Sequence, residues 1–479
     1  MSDNVRVRIA PSPTGIPHIG NTRTALFNFL FARKNKGKFI IRIEDTDRER
    51  FVPESLQKIM EIFRWLGIDY DEGPEIGGPF APYIQSERLS LYKKYALELI
   101  RKNCAYYCFC TPERLNTMRK EQETKHEPPR YDKKCRSLTK EEIEKNLKEN
   151  KKYVIRLKVP EEGVSCWEDL ILGKISFENK LIDDQILLKS DGFPTYHLGV
   201  VVDDYLMKIS HVLRGSEWTS STPKHILLYD FFGWEKPKWG HLPVILGPDK
   251  AKLSKRHGAD SALFYRDLGY LPEAILNAIV LWGWVPKVDN ELLSLEEMIK
   301  LFDLKDITDT NPIFNPSKID WFNGQYIRKK SVDELHKLLI PFLQKNISSE
   351  FVKKIIPLVQ DRLGKLSDWS NLTDFFENPP VVYDEKLLLQ GHQKSDVREV
   401  LKKGITIFSD LSVPWTHEDW EMKIRQLADE YKWKHADVFQ IFRVAISGKL
   451  ATPPLFETME VLGKDEVVSR LSYSAKTLS

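Results

Sequence analysis

Cysteine is scarce in this chain: 5 residues in 479, an odd number scattered through a strongly charged sequence. That argues against a disulfide framework and for a reducing compartment. An excess of one charge is missing too. The 72 basic side chains stand against 69 acidic ones, a net charge of +3. No basic tail announces nucleic acid, so any RNA contact must rest on local patches. There is no apolar run of about 18 residues and no apolar amino-terminal stretch, which speaks against a membrane span and a secretion signal. No transit segment precedes the first motif, and the expected location is cytoplasmic. The length allows several domains, each large enough for its own core.

What is present is concentrated in two short segments. The first follows a stretch, Val5 to Ala10, in which apolar and basic residues alternate as in a half-exposed strand. Pro11, Pro13, Gly15 and Pro17 then force a turn. Ala25, Leu26, Phe29 and Leu30 follow at helical spacing. His18 thus stands between strand and helix start, where free backbone N–H groups and the helix dipole favour an anion. A histidine there can donate to phosphate oxygens. Read alone, the segment is equally a proline-rich turn with an incidental histidine.

The second segment is a lysine cluster between glycines, Gly247-Pro-Asp-Lys250-Ala-Lys252-Leu-Ser-Lys255-Arg256-His257-Gly258. Such a loop can close on a ligand and offers ammonium groups to phosphates. Most basic runs are merely solvated surface, and this one alone could be another.

Together, His18-Ile-Gly-Asn21 and Lys252-Leu-Ser-Lys255-Arg256 resemble the two signatures of class I aminoacyl-tRNA synthetases. Further motifs narrow the resemblance to glutamyl-tRNA synthetases of the bacterial type. Among them are Arg8-Ile-Ala-Pro-Ser-Pro-Thr-Gly, Ile41-Arg-Ile-Glu44-Asp-Thr-Asp47 and Tyr70-Asp-Glu-Gly-Pro74. Asp191-Gly-Phe-Pro-Thr-Tyr196-His, Arg214-Gly-Ser-Glu217-Trp218 and Trp321-Phe-Asn-Gly-Gln-Tyr-Ile-Arg328 continue the series across nearly the whole chain. The fourth position of the first signature is Asn21 rather than histidine, which shifts catalytic weight to His18 and Lys255.

The resemblance implies an α/β fold, a Rossmann-type nucleotide-binding catalytic domain with an inserted acceptor-binding domain, followed by an all-α anticodon-binding region. The expected catalytic region is 1–322, with Rossmann halves at about 1–80 and 186–250, the insertion at about 81–185 and a stem-contact region at about 251–322. Residues 323–479 form the helical region. The residue pattern agrees. Strand-like stretches at Phe39–Ile43, Ile186–Leu188, Ile209–Leu213 and Leu242–Leu246 suit a parallel sheet. Helix starts are expected at Thr111-Pro112, at the capping box Thr139/Glu142 and at Ser331/Glu334. Leu335, Leu338, Leu339 and Phe342, and later Val438, Ile441, Phe442 and Ala445, have helical spacing.

By the same resemblance, Pro11, Ser12, Thr14, Gly15, His18 and Gly20 bind ATP with Lys252, Leu253, Ser254, Lys255 and Arg256. His18, Lys252 and Lys255 are the expected catalytic residues. Arg8, Ala10, Ser12, Glu44, Tyr196 and Arg214 are expected around glutamate, Arg8 as partner of the side-chain carboxylate and Glu44 of the ammonium, and Arg362 at the anticodon. Charge supports this choice. Free glutamate offers two carboxylates and one ammonium, so its site needs forked donors and one acid. A cationic pocket also rejects glutamine, whose neutral amide leaves the arginine unpaired. Val200 departs from family members that have an asparagine near the substrate, so a side-chain hydrogen bond is lost there.

The implied reaction is two-step: glutamate and Mg-ATP give glutamyl-adenylate, and the terminal adenosine of tRNA(Glu) then accepts the glutamyl group. ATP and Mg2+ are the implied cofactors, with Zn2+ a further candidate, and the expected state is a monomer. Cys108-Phe-Cys110 and Cys135 resemble a zinc site found in the insertion of some members. The histidine expected two residues after the third cysteine is Ser137. Tyr131 matches a ligand position in a shorter relative, Cys104 and His126 are other candidates, and a degenerate empty site is the alternative. A generic nucleotidyltransferase, a tail-less relative that glutamylates a tRNA base and a non-catalytic RNA-binding paralogue all fit less well, given the intact signatures and long helical tail. A non-discriminating enzyme that also charges tRNA(Gln) stays as the alternative; Arg362 matches an arginine associated with strict reading.

Overall fold

The computed structural model describes residues 5–254, 260–344, 347–380, 384–410 and 415–478. The chain divides into two compact units, Met1–Tyr265 with Ile275–Pro316, and Arg266–Ala274 with Ser317–Ser479. No described helix is long and apolar enough to cross a membrane.

The first unit opens with strand β1 (Arg6–Ile9), helix α1 (Ile19–Lys34) and strand β2 (Lys38–Ile41), and β1 and β2 pair in parallel. Then come β3 (Ala105–Cys108), β4 (Val154–Leu157), the hairpin of β5 (Val164–Asp169) and β6 (Gly173–Glu178), and β7 (Ile186–Leu188). Strands β8 (His211–Gly215) and β9 (Lys238–Leu242) flank the helix Thr222–Phe232 and pair in parallel. These are two strand–helix–strand crossovers of the nucleotide-binding kind. They meet where the Ser210 N–H donates to the Arg6 carbonyl at 3.0 Å.

Three strands differ at their ends from the sequence expectation. The strand expected at Leu242–Leu246 lies earlier, at Lys238–Leu242. Pro243 has no N–H for the ladder, so pairing stops before it. Strand β8 starts two residues later than expected. Ile43 lies beyond β2, where its N–H donates to the Tyr83 carbonyl instead.

Pairing also crosses the expected limits of the insertion. Strand β7, expected in the second nucleotide-binding half, completes the antiparallel sheet β3-β4-β7. The β5–β6 hairpin, expected inside the insertion, extends the sheet of β8 and β9 in the order β6-β5-β9-β8. This places Asp169, the last residue of β5, beside β9.

The helix starts follow the expected caps. Thr111 caps Pro112–Thr124, and full capping boxes open Lys140–Lys148 and Val332–Leu339. The second unit is helical among its described residues. Its core includes the fully buried Val438, Ile441, Phe442 and Ala445 on the helix His435–Ser447. Leu335 and Leu339 are also buried, while Leu338 and Phe342 are partly so.

Candidate active site

Strand β1 ends at Ile9, and the prolines that follow cannot donate to a ladder. Gly15 takes a positive φ of 139° within this turn. His18 then caps α1: its Nδ1 accepts the Gly20 N–H at 3.1 Å. A Cβ on Gly20 would come within 2.8 Å of that ring, so the close cap needs glycine. With its Nδ1 lone pair engaged, the neutral imidazole carries its proton on Nε2 and is a donor there. A donor ring thus stands at a helix N-terminus, where an anion is favoured.

A cleft of about 770 Å³ opens beside His18, a size suited to a small-molecule ligand. Ala10, Pro11, Ser12, Thr14, His18 and Gly20 line it from the first segment. Lys252 and Leu253 line it from the second, Arg8, Glu44, Tyr196 and Arg214 complete the expected set, and Val200 is also in the wall. Two expected ATP contacts, Gly15 and Ser254, are not among its walls; Gly15 acts through the turn's conformation. Lys255 and Arg256 lie outside the described residues.

The charges beneath the cleft are ordered. The Arg8 Nε–H and Nη2–H donate to Asp204 Oδ1 and Oδ2 at 3.0 and 3.1 Å. Arg42, fully buried, donates to Asp204 at 2.7 Å and to Glu44 at 3.0 Å. Arg88 pairs with Asp203 at 2.8 Å. Arg8, Arg42 and Arg88 are thereby matched by Glu44, Asp203 and Asp204. Burial raises the Glu44 carboxyl above its usual range, against the pull of Arg42. Arg214 differs. It is buried, and its contacts are neutral: Tyr196 Oη, Thr222 Oγ1, His225, His241 and the Trp218 carbonyl. Among the described residues no carboxylate touches it, and the same holds for Arg23 in the same wall, which bonds to the Trp282 and Pro243 carbonyls.

Several cleft residues carry no expectation from the sequence. Trp218 packs against Tyr196 with ring centroids 4.5 Å apart and planes tilted by 39°. Lys189 Nζ reaches the Thr46 carbonyl at 3.0 Å. Arg23, on the helix face read only as core, donates to the Trp282 carbonyl at 2.8 Å. Glu217 Oε1 holds Lys252 Nζ at 2.8 Å. Trp218 and Glu217 lie in a quoted motif, which was their one signal; Arg23 gave none.

The cysteines gather as well. The Sγ atoms of Cys108, Cys110 and Cys135 lie within 4.8 Å of one another. The Tyr131 hydroxyl is 3.3 Å from both Cys108 and Cys110, and accepts the Cys135 N–H at 3.0 Å. Cys104 bonds elsewhere, to the Lys102 carbonyl, and Ser137 to the Lys134 carbonyl. Hydrogen bonding from Cys135 holds the Cys108 thiol far below its usual value, at about 4. Three sulfurs and a phenol this close fit a tetrahedral zinc.

In the second unit Arg362 donates to the Thr452 carbonyl at 2.5 Å. Arg443, not expected from the sequence, reaches the same carbonyl at 3.3 Å.

Residues 4–321 match the family model of the catalytic domain of class I tRNA synthetases for E and Q. The chain belongs to that family. Residues 334–475 of this synthetase match an anticodon binding domain. It is 46% identical to a glutamate–tRNA ligase of Dehalococcoides mccartyi, over 100% of this chain and 99% of the relative. It is 44% identical to glutamate–tRNA ligase 2 of Thermoanaerobacter pseudethanolicus, over 98% and 97% of the two chains. A crystal structure of a glutamate tRNA ligase from Elizabethkingia meningosepticum, in complex with its amino acid, superposes with a TM-score of 0.93 at 37% identity. It covers 99% of this chain and 100% of its own.

Proposed function

We infer that this chain is a glutamate–tRNA ligase: it activates L-glutamate with ATP and transfers it to the 3′-terminal adenosine of tRNA(Glu). The observation that carries the reading is the charge pattern of one cleft, whose walls hold both His18 at a helix start and the buried Arg214, which no described carboxylate touches directly. Glutamate carries one net negative charge, and Arg214 is free of a direct carboxylate partner among the described residues to receive it. Glutamine carries none and leaves Arg214 unpaired, at a cost on the order of several kcal/mol. Glu44 supplies the acid for the substrate ammonium, and Tyr196 and Arg8 complete the pocket.

Magnesium enters with ATP as part of the substrate. The α-carboxylate oxygen of glutamate bonds to the α-phosphorus, and the bond to the leaving pyrophosphate breaks. Little covalent chemistry falls to the protein, so positioning and charge stabilisation dominate. His18 donates from Nε2 to the phosphates as charge builds, and Lys252 supports it on leaving Glu217. The roles of Lys255 and Arg256 rest on the sequence resemblance. In the second step the adenosine hydroxyl attacks the activated carbonyl and AMP leaves.

Arg362 reads the anticodon, and its approach to Arg443 supports a paired guanidinium site there. Cys108, Cys110, Cys135 and Tyr131 are the residues that would hold a zinc ion, whose role there would be structural. The test is aminoacylation with glutamate and with glutamine against purified tRNA(Glu) and tRNA(Gln). Glutamate charging of tRNA(Glu) is expected, and charging of neither tRNA would overturn the reading.

A further inference from the structure

Arg8 and Arg214 both line the cleft, yet they are balanced in different ways. Asp204 binds Arg8 directly through two hydrogen bonds. Arg214 forms no ion pair with any described carboxylate; the acid behind it stands one ring away. Its Nε–H donates to His241 Nε2 at 3.2 Å, and His241 Nδ1 donates to Asp169 Oδ2 at 2.5 Å. Asp169, His241 and Arg214 are all buried.

The direction of this chain is fixed by Asp169. Its carboxylate receives donors alone: the backbone N–H groups of His241, Ile171 and Leu172 at 3.1 to 3.2 Å, the Trp167 indole at 3.2 Å, and His241 Nδ1. An acid so surrounded stays ionised and requires the His241 proton on Nδ1. Nε2 is then the acceptor that faces Arg214. Thr222 Oγ1 closes the arrangement, 3.1 Å from Nε2 and 2.7 Å from Arg214 Nη2.

We propose that Asp169 and His241 are positioning residues for glutamate recognition: they orient Arg214 and balance its charge through a neutral imidazole, leaving the guanidinium open to the substrate carboxylate. A carboxylate placed directly on Arg214 would compete with that ligand. An acid held one ring away lowers the cost of burying the cation without occupying it. Asp169 reaches this position because β5 joins β9, with Asp169 opposite Trp239. The proposal rests on the reading of the cleft as the glutamate site.

The test uses the full-length enzyme in tRNA-dependent ATP–pyrophosphate exchange, with glutamate, glutamine and ATP varied separately. In Asp169→Asn the amide must turn one N–H toward the ring or the indole, which disfavours the native tautomer. The expected result is a rise in KM for glutamate of about 10-fold to 10²-fold, with KM for ATP nearly unchanged. The ratio of kcat/KM for glutamate over glutamine should fall with it. Two variants at His241 give a readout independent of how Asp169→Asn folds. His241→Gln keeps an acceptor near the Nε2 position and should retain most glutamate affinity; His241→Asn places its amide short of Arg214 and should lose it. Equal losses for glutamate and ATP with the glutamate-to-glutamine ratio intact would overturn the proposal, as would equal behaviour of the two His241 variants. Failure of the wild-type enzyme to exchange with glutamate would instead overturn the assignment of the site.

Discussion

Asp204 serves two arginines at once: Arg8 grips it with two hydrogen bonds, and Arg42 donates to the same Oδ1 at 2.7 Å. Both guanidiniums are buried. Replacing Asp204 with asparagine leaves two buried cations short of one counter-charge. A loss of about 3–5 kcal/mol in the stability of the first unit is expected. Arg8→Met should cost less, because Asp204 keeps Arg42, yet it should raise KM for glutamate strongly. Denaturant unfolding alongside exchange kinetics checks both. A mild Asp204→Asn variant would show that the cluster is not the anchor of the pocket.

His18 has two separable tasks. Its Nδ1 caps α1 through the Gly20 N–H, and its Nε2 is the donor for phosphate. His18→Ala loses both, so about 1 kcal/mol of stability should go with the activity. Asparagine is a good capping residue but has no group at the Nε2 position. His18→Asn should therefore unfold close to wild type while adenylate formation falls about 10²–10³-fold. Near-normal exchange in His18→Asn would remove the ring from the chemistry.

Local signals explain why so much of the site could be read from the chain. His18 follows a proline turn and precedes helical periodicity, and the capping boxes at Thr139 and Ser331 are complete within four residues. The partners of the pocket residues carry no such local signal; Arg42 and Asp204 are marked only by the family resemblance of Ile41-Arg-Ile-Glu44 and Val202-Asp-Asp-Tyr-Leu-Met207. Asp204 lies in an apolar helix, Tyr196–Leu206, and becomes meaningful because β1 brings Arg8 beside it. Asp169 and His241 are joined by strand pairing between segments that the sequence assigns to different regions. The shift of the last strand has a plain cause in Pro243, which the apolar run Leu242 to Leu246 concealed. Periodicity reports which face is buried, and tertiary pairing decides which buried charges meet.

The cysteine cluster makes a claim about metal. Hydrogen bonding from Cys135 lowers the Cys108 thiol, and the Tyr131 hydroxyl lies against the sulfurs. Protein purified without added zinc should carry about one zinc per chain. Tyr131→Phe removes one oxygen ligand and should weaken retention against a chelator, while Cys135→Ser should abolish it. Elemental analysis after dialysis distinguishes these outcomes. Metal-free wild-type protein that unfolds at the same temperature with and without zinc would show the site to be empty.

Three histidines, the buried His225 and His241 and the half-buried His197, make stability depend on pH. Burial, then the positive charge of Lys224 and Arg214, pulls His197 down to about 3. Burial and then Arg214 pull His225 well below its usual value, and burial lowers His241 despite its Asp169 partner. His225 Nδ1 faces Arg214 at 3.3 Å and its Nε2 faces His197 at 3.2 Å, so a further proton finds no acceptor. The unfolded chain takes up these protons near the ordinary value of about 6.5, and the folded chain takes them up only at lower pH. Stability contributed by neutral histidine is therefore present above that value and lost as pH falls below it. Each ring contributes a slope of up to about 1.4 kcal/mol per pH unit. Urea unfolding between about pH 7 and pH 5 should show a steep decline, shallower in His197→Asn by about one proton's worth. An unchanged slope in that variant would mean that His197 is protonated in the folded enzyme.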